Sequence, residues 1–434
     1  MEIELNAIVM RANAGKHTIT DGACEYTLQS SERFNRLDLL RIAGEISGST
    51  IVPSKIEKLE SPTLADAVGM LGIKIGDWNP AVKSPVLEKC RPAIERTAKV
   101  LKLIAAINPK TIMRFHGDAD GISAALSVSS VIPGFKIQHN SAVYSNKDAF
   151  NDIAQLKFEA FPTLVLLDCC TNDESMEALD LVKSAGINIL AIDHHPCSQA
   201  LANVGIVLNP WLYDPEEDAS KFTAGYLAYE VVKLIGHDAS ETVGISLAGD
   251  KSDIMPISEK DRERALVFDF VASYSSFGNR LEFYKDLISD NALYKSILAK
   301  AKEHIENVSS AISQNMKKEA LGNGITLVTV NLDRAVKRSE FPGRGKMTTR
   351  AYEMAGDENV VVIGYSERSL ILRVGHKAYG KGVRANELVK ALVSEYKDNA
   401  SGGGHARAAA FLFSGLPVDY LLQQMKKMVS EVKA

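Results

Sequence analysis

The sequence predicts an α/β protein. Its main domain is a parallel sheet flanked by helices, joined through a helical connector to a smaller α/β domain, with an N-terminal α+β region ahead of it. Three observations carry this. Apolar runs at 111–115, 162–167 and 189–192 each end in an acid or an imidazole, and helical spacing separates them, which is the alternation of a parallel sheet. Residues 256–318 are charged, with Leu281, Tyr284, Leu287, Leu293, Ile297, Ile305 and Val308 spaced as helical stripes. Beyond residue 326, short apolar runs alternate with helical patterns and basic, Gly-rich loops. The boundaries that follow are 1–90 for the accessory region, 91–258 for the main domain, 259–320 for the connector and 321–434 for the smaller domain.

A chain of 434 residues is longer than one core supports, so several domains are expected. Hydrophobic residues at 46% and charged residues at 24% are ordinary for a globular protein. A net charge of −4 argues against a basic nucleic-acid coat. It leaves room for an enzyme in which bound cations or a local basic groove offset phosphates. Cys24, Cys90, Cys169, Cys170 and Cys197 show no Cys-x-x-Cys spacing and predict reduced thiols. The start lacks the plan of a signal peptide, and no run approaches the ~18 apolar residues of a membrane span. The expectation is a cytoplasmic protein with no membrane partner.

Glu2–Met10 and Thr18–Ile19 read as short strands separated by the turn-prone Asn13-Ala14-Gly15. Phe34, Leu37, Leu40 and Ile42 predict a helix over 32–46, and Ser-Pro-Thr at 61–63 opens another over 63–71. His17 reads as a surface residue. Ile94, Val100, Leu101 and Ile104 mark a helix from Pro92 to Ile107, ended by Asn108-Pro109.

The chemistry begins at the end of the strand 111–115, with His116-Gly-Asp118-Ala-Asp120-Gly121. Three metal-ligand types within five residues share one tight loop, with Gly117 and Gly121 giving the backbone room. An N-terminal helix cap would explain one of these acids but not all three groups. The strand 162–167 then ends in Asp168. Cys169 and Cys170 follow it, read as small apolar fillers pointing to opposite faces of the strand. Ile189–Ile192 runs into Asp193-His194-His195-Pro196, and a helix over 241–248 runs into Gly249-Asp250. The acidic loop 214–218 reads as a solvated surface run, and Asp253 as a cap or supporting group. Open α/β sheets place ligands at the carboxyl ends of their strands. His116, Asp118, Asp120, Asp168, His194 and Asp250 therefore converge as candidate ligands of a two-metal centre, with one carboxylate bridging the ions.

These four motifs, in this order, resemble those of the DHH phosphoesterase superfamily. That group includes RecJ-type exonucleases, oligoribonucleases that also act on adenosine bisphosphate, cyclic-dinucleotide phosphodiesterases and family II pyrophosphatases. The resemblance implies one metal on His116, Asp118 and Asp168, and a second on Asp120, Asp168, His194 and Asp250. It further implies that Asp193 is a supporting carboxylate and that His195 faces the substrate phosphate.

In the smaller domain, strands are expected at 326–330, 359–365 and 369–374, the last carrying Arg373, with helices at 348–354 and 385–397. Basic loops are expected at 340–346 and 377–384, and Ser401-Gly402-Gly403-Gly404-His405-Ala-Arg407 leads into apolar Ala408–Phe413. The three glycines read as a loop whose backbone N–H groups are exposed to a phosphate. The run resembles the Gly-Gly-Gly-His element of the DHHA1 domain that accompanies DHH domains. By that resemblance Arg373, Gly402, Gly403, Gly404 and His405 bind substrate. This disfavours the pyrophosphatase branch, whose second domain is of another type.

The resemblance covers residues 100–434. It implies two divalent ions, Mn²⁺ by preference or Mg²⁺, and an exonuclease that hydrolyses single-stranded DNA or RNA to 5′-mononucleotides in replication or repair. Arg344, Lys346, Lys377, Lys381 and Arg384 are candidates to track the strand. Short oligonucleotides and cyclic dinucleotides are the alternative substrates. A replisome scaffold is the non-enzymatic alternative, and a GINS-like replication-complex protein is the expected partner.

Overall fold

The computed structural model describes all residues except 61–62, 216, 275–279, 336–340, 357 and 433–434, and leaves the side chains of 217, 218 and 398 undescribed. The predicted helix opener Ser61-Pro62, the middle of the acidic loop and the head of the basic loop at Glu340 lie outside the described residues. The chain divides into two units. One comprises residues 1–268 with 276–289, and the other 269–275 with 290–434.

The first unit opens with a closed five-stranded barrel. Its strands are β1 (Glu2–Asn13), β2 (Lys16–Thr20), β3 (Glu25–Gln29), β4 (Leu39–Ser47) and β5 (Thr50–Leu59), in the order β1-β2-β3-β5-β4. The long β1 pairs antiparallel with both β2 and β4, and β3 runs parallel to β5. This is the Greek-key arrangement of the OB-fold. The predicted helix over 32–46 is therefore wrong. Leu40, Ile42 and Gly44 point inward at the period of a strand, and their company in the barrel core is Val9, Ile19, Leu28 and Ile51. His17 is also not a surface residue. It is buried, edge-on to Phe34 at 5.0 Å, with Nε2 3.3 Å from the Ser30 carbonyl. The helix Leu64–Met70 follows the expected position, capped reciprocally by Thr63 and Asp66.

The helix Pro85–Ile107 begins earlier than its apolar stripe suggested, because Ser84 caps it and Pro85 occupies the first turn, where no N–H is needed. It leads into a five-stranded parallel sheet of β6 (Thr111–His116), β7 (Phe135–His139), β8 (Thr163–Leu167), β9 (Asn188–Ile192) and β10 (Ile206–Leu208). The order is β10-β9-β8-β6-β7. Connections leave β6 to one side and β8 to the other, so the topological switch lies between these two strands. Phe115, Leu167 and Ile192 stand in register across β6, β8 and β9. The next residue along the chain in each case is His116, Asp168 or Asp193. Register alone thus brings three of the motifs to one edge.

The second unit carries a six-stranded sheet of β11 (Met316–Ala320), β12 (Thr326–Asn331), β13 (Val360–Ser366), β14 (Ser369–Val374), β15 (Ala400–His405) and β16 (Ala408–Phe413). The order is β11-β12-β13-β14-β16-β15, with only β12 and β13 parallel. One face packs on the helices Ala385–Tyr396 and Val418–Glu431 through Leu372, Val389, Phe411 and Leu421. The other packs on Ala292–Asn315 and Arg344–Ala355 through Ile312, Val330, Met347 and Val362. The strand β11 was not anticipated, because its sequence, Met-Lys-Lys-Glu-Ala, is largely exposed and has no apolar alternation.

Candidate metal centre

His116 closes β6, and Asp118 caps the next helix, Ala119–Ser129, by accepting the Gly121 N–H at 3.0 Å. A Cβ on Gly121 would stand 2.4 Å from the His116 carbonyl oxygen, so only glycine allows the loop to fold this tightly. His116 Nδ1 lies 2.8 Å from Asp118 and 3.6 Å from Asp168. Asp120 is fully buried one turn further on. It accepts the Ala224 and Gly225 N–H groups, each at 2.8 Å, and the Ser246 hydroxyl at 2.6 Å.

His194 stands between the carboxylates. Its Nε2 is 3.0 Å from Asp250, 3.4 Å from Asp168 and 3.6 Å from Asp120. Its Nδ1 lies 2.7 Å from the Ser220 carbonyl, which fixes the proton on that nitrogen and leaves Nε2 as a ligand atom. The Trp211 indole donates both to the His194 carbonyl and to Ser220 Oγ, each at 3.0 Å, and so holds the supporting loop. Asp193 faces the other way. Its carboxylate accepts the Thr171 hydroxyl at 2.5 Å and lies 2.7 Å from His195 Nδ1, while the His195 side chain keeps 45% of its exposure.

Asp168 has φ +60°, in the left-handed region, and Cys170 follows with φ +71°. The strand β8 has already ended at Leu167, so the two cysteines do not alternate across a sheet as expected. Instead the curled chain brings their sulfurs to 3.1 Å, buried in an apolar cluster with Leu166 and Leu179.

The charges are those of a site built for cations. Burial and the neighbouring Asp168 and Asp250 push the Asp120 carboxyl well above its usual range, and burial with Asp118 raises Asp168. Burial would lower the His116 imidazole, but Asp118 and Asp168 outweigh it and hold the ring well above its ordinary value. For His194, too, burial works against the charged ring, and Asp168, Asp250 and Asp120 more than offset it. Asp193 is the exception among the acids. Burial opposes its charge, but the charge and hydrogen bond of His195 keep it well below the carboxylate range. Among the described residues, three buried atoms here make no well-aligned hydrogen bond despite carboxylates close by: His116 Nδ1, Asp168 Oδ1 and His194 Nε2. Buried polar groups are seldom left unpaired, and these three are all of metal-ligand type.

The candidate ligands fall into overlapping groups whose donor atoms lie within 4.8 Å of one another: His116, Asp118 and Asp168; Asp120, His194 and Asp250; and Asp168 with Asp193, His194 and His195. The structure thus brings all six predicted ligands together with Asp193 and His195. The motifs gave no sign of Thr171, Ser220, Trp211, Ser246 or the N–H groups at 224–225. The one available signal was Thr223, a helix cap that aims those N–H groups.

Within the second unit, Arg373 is held by Thr349 Oγ1 at 3.0 Å, the Gly345 carbonyl at 3.3 Å and its own strand. Gly402–Gly404 form the sheet's edge strand β15, not a loop. Cβ atoms on Gly402 and Gly404 would meet β16 carbonyls at 2.3 and 2.4 Å, whereas one on Gly403 would meet open space. Close strand approach therefore requires two of the glycines and leaves Gly403 available for another purpose. His405 pairs with Ala408 in the same ladder. The predicted basic loop at 377–384 contains the short helix His376–Gly380, and its cations are engaged: Lys381 donates to the Asn323 carbonyl and Arg384 stacks on Tyr379 at 3.7 Å. Arg344 pairs with Asp333, Lys346 with Asp269, and Lys377 lies 3.8 Å from Glu358.

Residues 111–249 match the family model of the DHH family, N-terminal domain. An uncharacterized protein of Methanocaldococcus jannaschii is 25% identical over 405 residues, covering 76% of this chain and 53% of its own length. The chain thus spans about half of the curated relative it matches. Among solved structures, the DHH domain of a member of the s1p family of ribosomal proteins gives a TM-score of 0.74 at 23% identity, covering 86% of this chain and 97% of that one. RecJ of Thermus thermophilus in complex with Mn²⁺ gives 0.52 at 12% identity, covering 78% of this chain and 55% of that one. Among the described residues, no helix is long and apolar enough to cross a membrane. With its motifs in order at one sheet edge, residues 111–249 carry the match to the N-terminal domain of the DHH family, and the chain shares the fold of these structures.

Proposed function

We propose that the protein is a two-metal phosphodiesterase that hydrolyses single-stranded DNA or RNA from an end, releasing 5′-mononucleotides. One observation carries this reading: three buried ligand atoms without well-aligned hydrogen bonds, on His116, Asp168 and His194, within two donor groups that Asp168 and His194 link. The donor set is four carboxylates and two imidazoles, which suits Mn²⁺ or Mg²⁺ better than a thiolate-seeking ion. In this reading His116, Asp118 and Asp168 hold one ion, and Asp120, Asp168, His194 and Asp250 hold the other. When bound, the pair supplies Lewis acidity toward a phosphate oxygen and toward water at neutral pH.

The remaining steps belong to the protein. Asp193 fixes His195 through Nδ1. Burial works against a charge on the His195 ring, but the Asp193 carboxylate outweighs it and favours the protonated form. The half-exposed ring then has Nε2 to donate to a phosphate oxygen as negative charge develops. Thr171 holds Asp193 from the opposite side. In the second unit, Arg373, Gly403 and His405 are proposed as substrate contacts.

Short substrates form the second reading, and one observation favours it: the five cations expected to track a long strand through the second unit all have partners inside that unit. Mn²⁺ digestion of end-labelled DNA and RNA, from two nucleotides to about thirty, separates the two. An Asp168→Ala control would run alongside. Ladders from one end of long strands are expected and would give the polarity. Hydrolysis confined to di- to tetranucleotides or cyclic dinucleotides would replace the exonuclease reading, and silence on every substrate with metals bound would leave a scaffold.

A further inference from the structure

The opposite edge of the same parallel sheet carries a second cavity, of about 750 Å³. It is lined by the β3–β4 loop of the barrel, the end of β5, the segment before β8 and the first residues of β9 and β10. It therefore lies at the amino ends of the strands whose carboxyl ends carry the metal ligands.

Its charge is not balanced. The acids lining it are already neutralised, Asp38 by Lys58 at 2.9 Å and Glu159 by Lys110 at 3.0 Å. Arg36, Arg96, Lys157 and Lys183 also line it, and none of them has a carboxylate partner among the described residues. Lys183 donates to the Asn203 carbonyl at 2.6 Å, and Arg36 to the carbonyls of Ile107 and Asn108. Lys157 and Lys183 stand at helix C-termini, where the helix dipole favours a cation, so their presence alone would be unremarkable. Arg36 likewise meets the C-terminal carbonyls of the helix Pro85–Ile107, which leaves Arg96, inside that helix, as the cation with no such explanation. Between the lining residues Lys157 and Glu159, Phe158 is 90% exposed, with Lys157 Nζ 5.9 Å from its ring centroid. An exposed ring beside unpaired cations is the combination that holds single strands, the ring taking a base face and the cations the phosphates.

We infer that this amino-edge cavity and the adjoining Phe158 bind a segment of single-stranded nucleic acid. Arg36, Arg96, Lys157 and Lys183 meet the phosphates, and Phe158 stacks on a base. The inference rests on the proposed function for the class of polymer but not for its chemistry, because it requires no metal and no hydrolysis. It also gives a long strand a holding point that the paired cations of the second unit do not supply.

The test is fluorescence anisotropy of the full chain in EDTA with a labelled single strand of about twenty nucleotides, titrated over a range of salt. Arg96→Glu with Lys157→Glu is expected to weaken binding about tenfold or more and to flatten the salt slope by about 1.4, which is roughly 0.7 for each cation lost. Phe158→Ala is expected to weaken it about fivefold, the low end for one stacked base. Hydrolysis of a dinucleotide in Mn²⁺ should be unchanged in all three substitutions. Wild-type affinity in every variant would overturn the inference. So would displacement of the strand by polyglutamate with Phe158→Ala neutral, since that pattern belongs to a surface for acidic peptides. If the wild type proves unable to hydrolyse any substrate while the variants still lose binding, the proposed activity fails and this site stands.

Discussion

Arg114 and His116 are two residues apart on β6, and both anchor buried charge, yet the two clusters are built on opposite plans. Around Arg114 the charges are paired. Its guanidinium grips Asp152 at 2.7 and 2.8 Å, Tyr144 donates to the same carboxylate at 2.7 Å, and Asp148 lies 3.4 Å away. Around His116, three ligand atoms lack a well-aligned hydrogen bond and the acids repel one another. A buried charge cluster that closes on itself holds a structure together; one left open awaits something positive. The difference shows which acids the fold needs and which it tolerates for another purpose.

The comparison is sharpest when each cluster loses one carboxylate. Asp168→Ala should lower phosphodiesterase turnover about 10³-fold, because several kcal/mol of charge stabilisation at the phosphate depends on the ions this residue links. Denaturant unfolding in EDTA should show the same variant within about 1 kcal/mol of wild type, since removing a repulsive charge offsets the strain of alanine in a left-handed backbone. Asp152→Ala should do the reverse, costing about 3–5 kcal/mol of stability by leaving Arg114 buried without its partner. A stable Asp152→Ala or a strongly destabilised Asp168→Ala would erase the distinction.

Mn²⁺ at about a hundred times its dissociation constant should add about 2.7 kcal/mol to unfolding, and Asp168→Ala should abolish that gain. Without metal, pH probes the open cluster. His116 and His194 titrate higher folded than unfolded, so their contribution is complete below about pH 6.5 and is lost as pH rises through their raised values. Asp120 and Asp168, also raised, act in the same direction. Thermal melts in EDTA should therefore fall as pH rises above about 6.5 while saturating Mn²⁺ flattens the curve; a metal-free melt that rises with pH would contradict the cluster as described. The smallest effect is expected from Thr171→Val, which removes a hydrogen bond to Asp193 but no candidate ligand. Turnover should drop about tenfold with metal affinity nearly intact, and Thr171→Ser should restore it.

The cluster was legible because His116, Asp168 and Asp193-His194 stand where an apolar strand run stops abruptly at an acid or an imidazole, and register aligns those ends, while Asp118, Asp120 and Asp250 lie at the helix ends beside them. The groups that orient those ligands were not legible. The Ser220 carbonyl and the N–H groups at 224–225 are backbone, so no side chain announces them. The barrel was missed for a different reason. Phe34, Leu37 and Leu40 fall three apart and imitate a helical stripe, but Phe34 and Leu37 belong to a loop that crosses the barrel's end, and the strand begins only at Leu39. The triple glycine read as a loop because sequence alone does not show that β16 presses against it.

The left-handed backbone at Asp168 also bears on how this lineage can change. Among residues with a side chain, asparagine and aspartate tolerate that conformation best, and glycine adopts it freely. A related chain that lacked the proposed hydrolysis but kept this shape would therefore most easily carry Asp168→Asn or Asp168→Gly. Other replacements would disturb the turn as well as the chemistry. Asn or Gly at this position would keep the turn while removing the carboxylate that links the two donor groups.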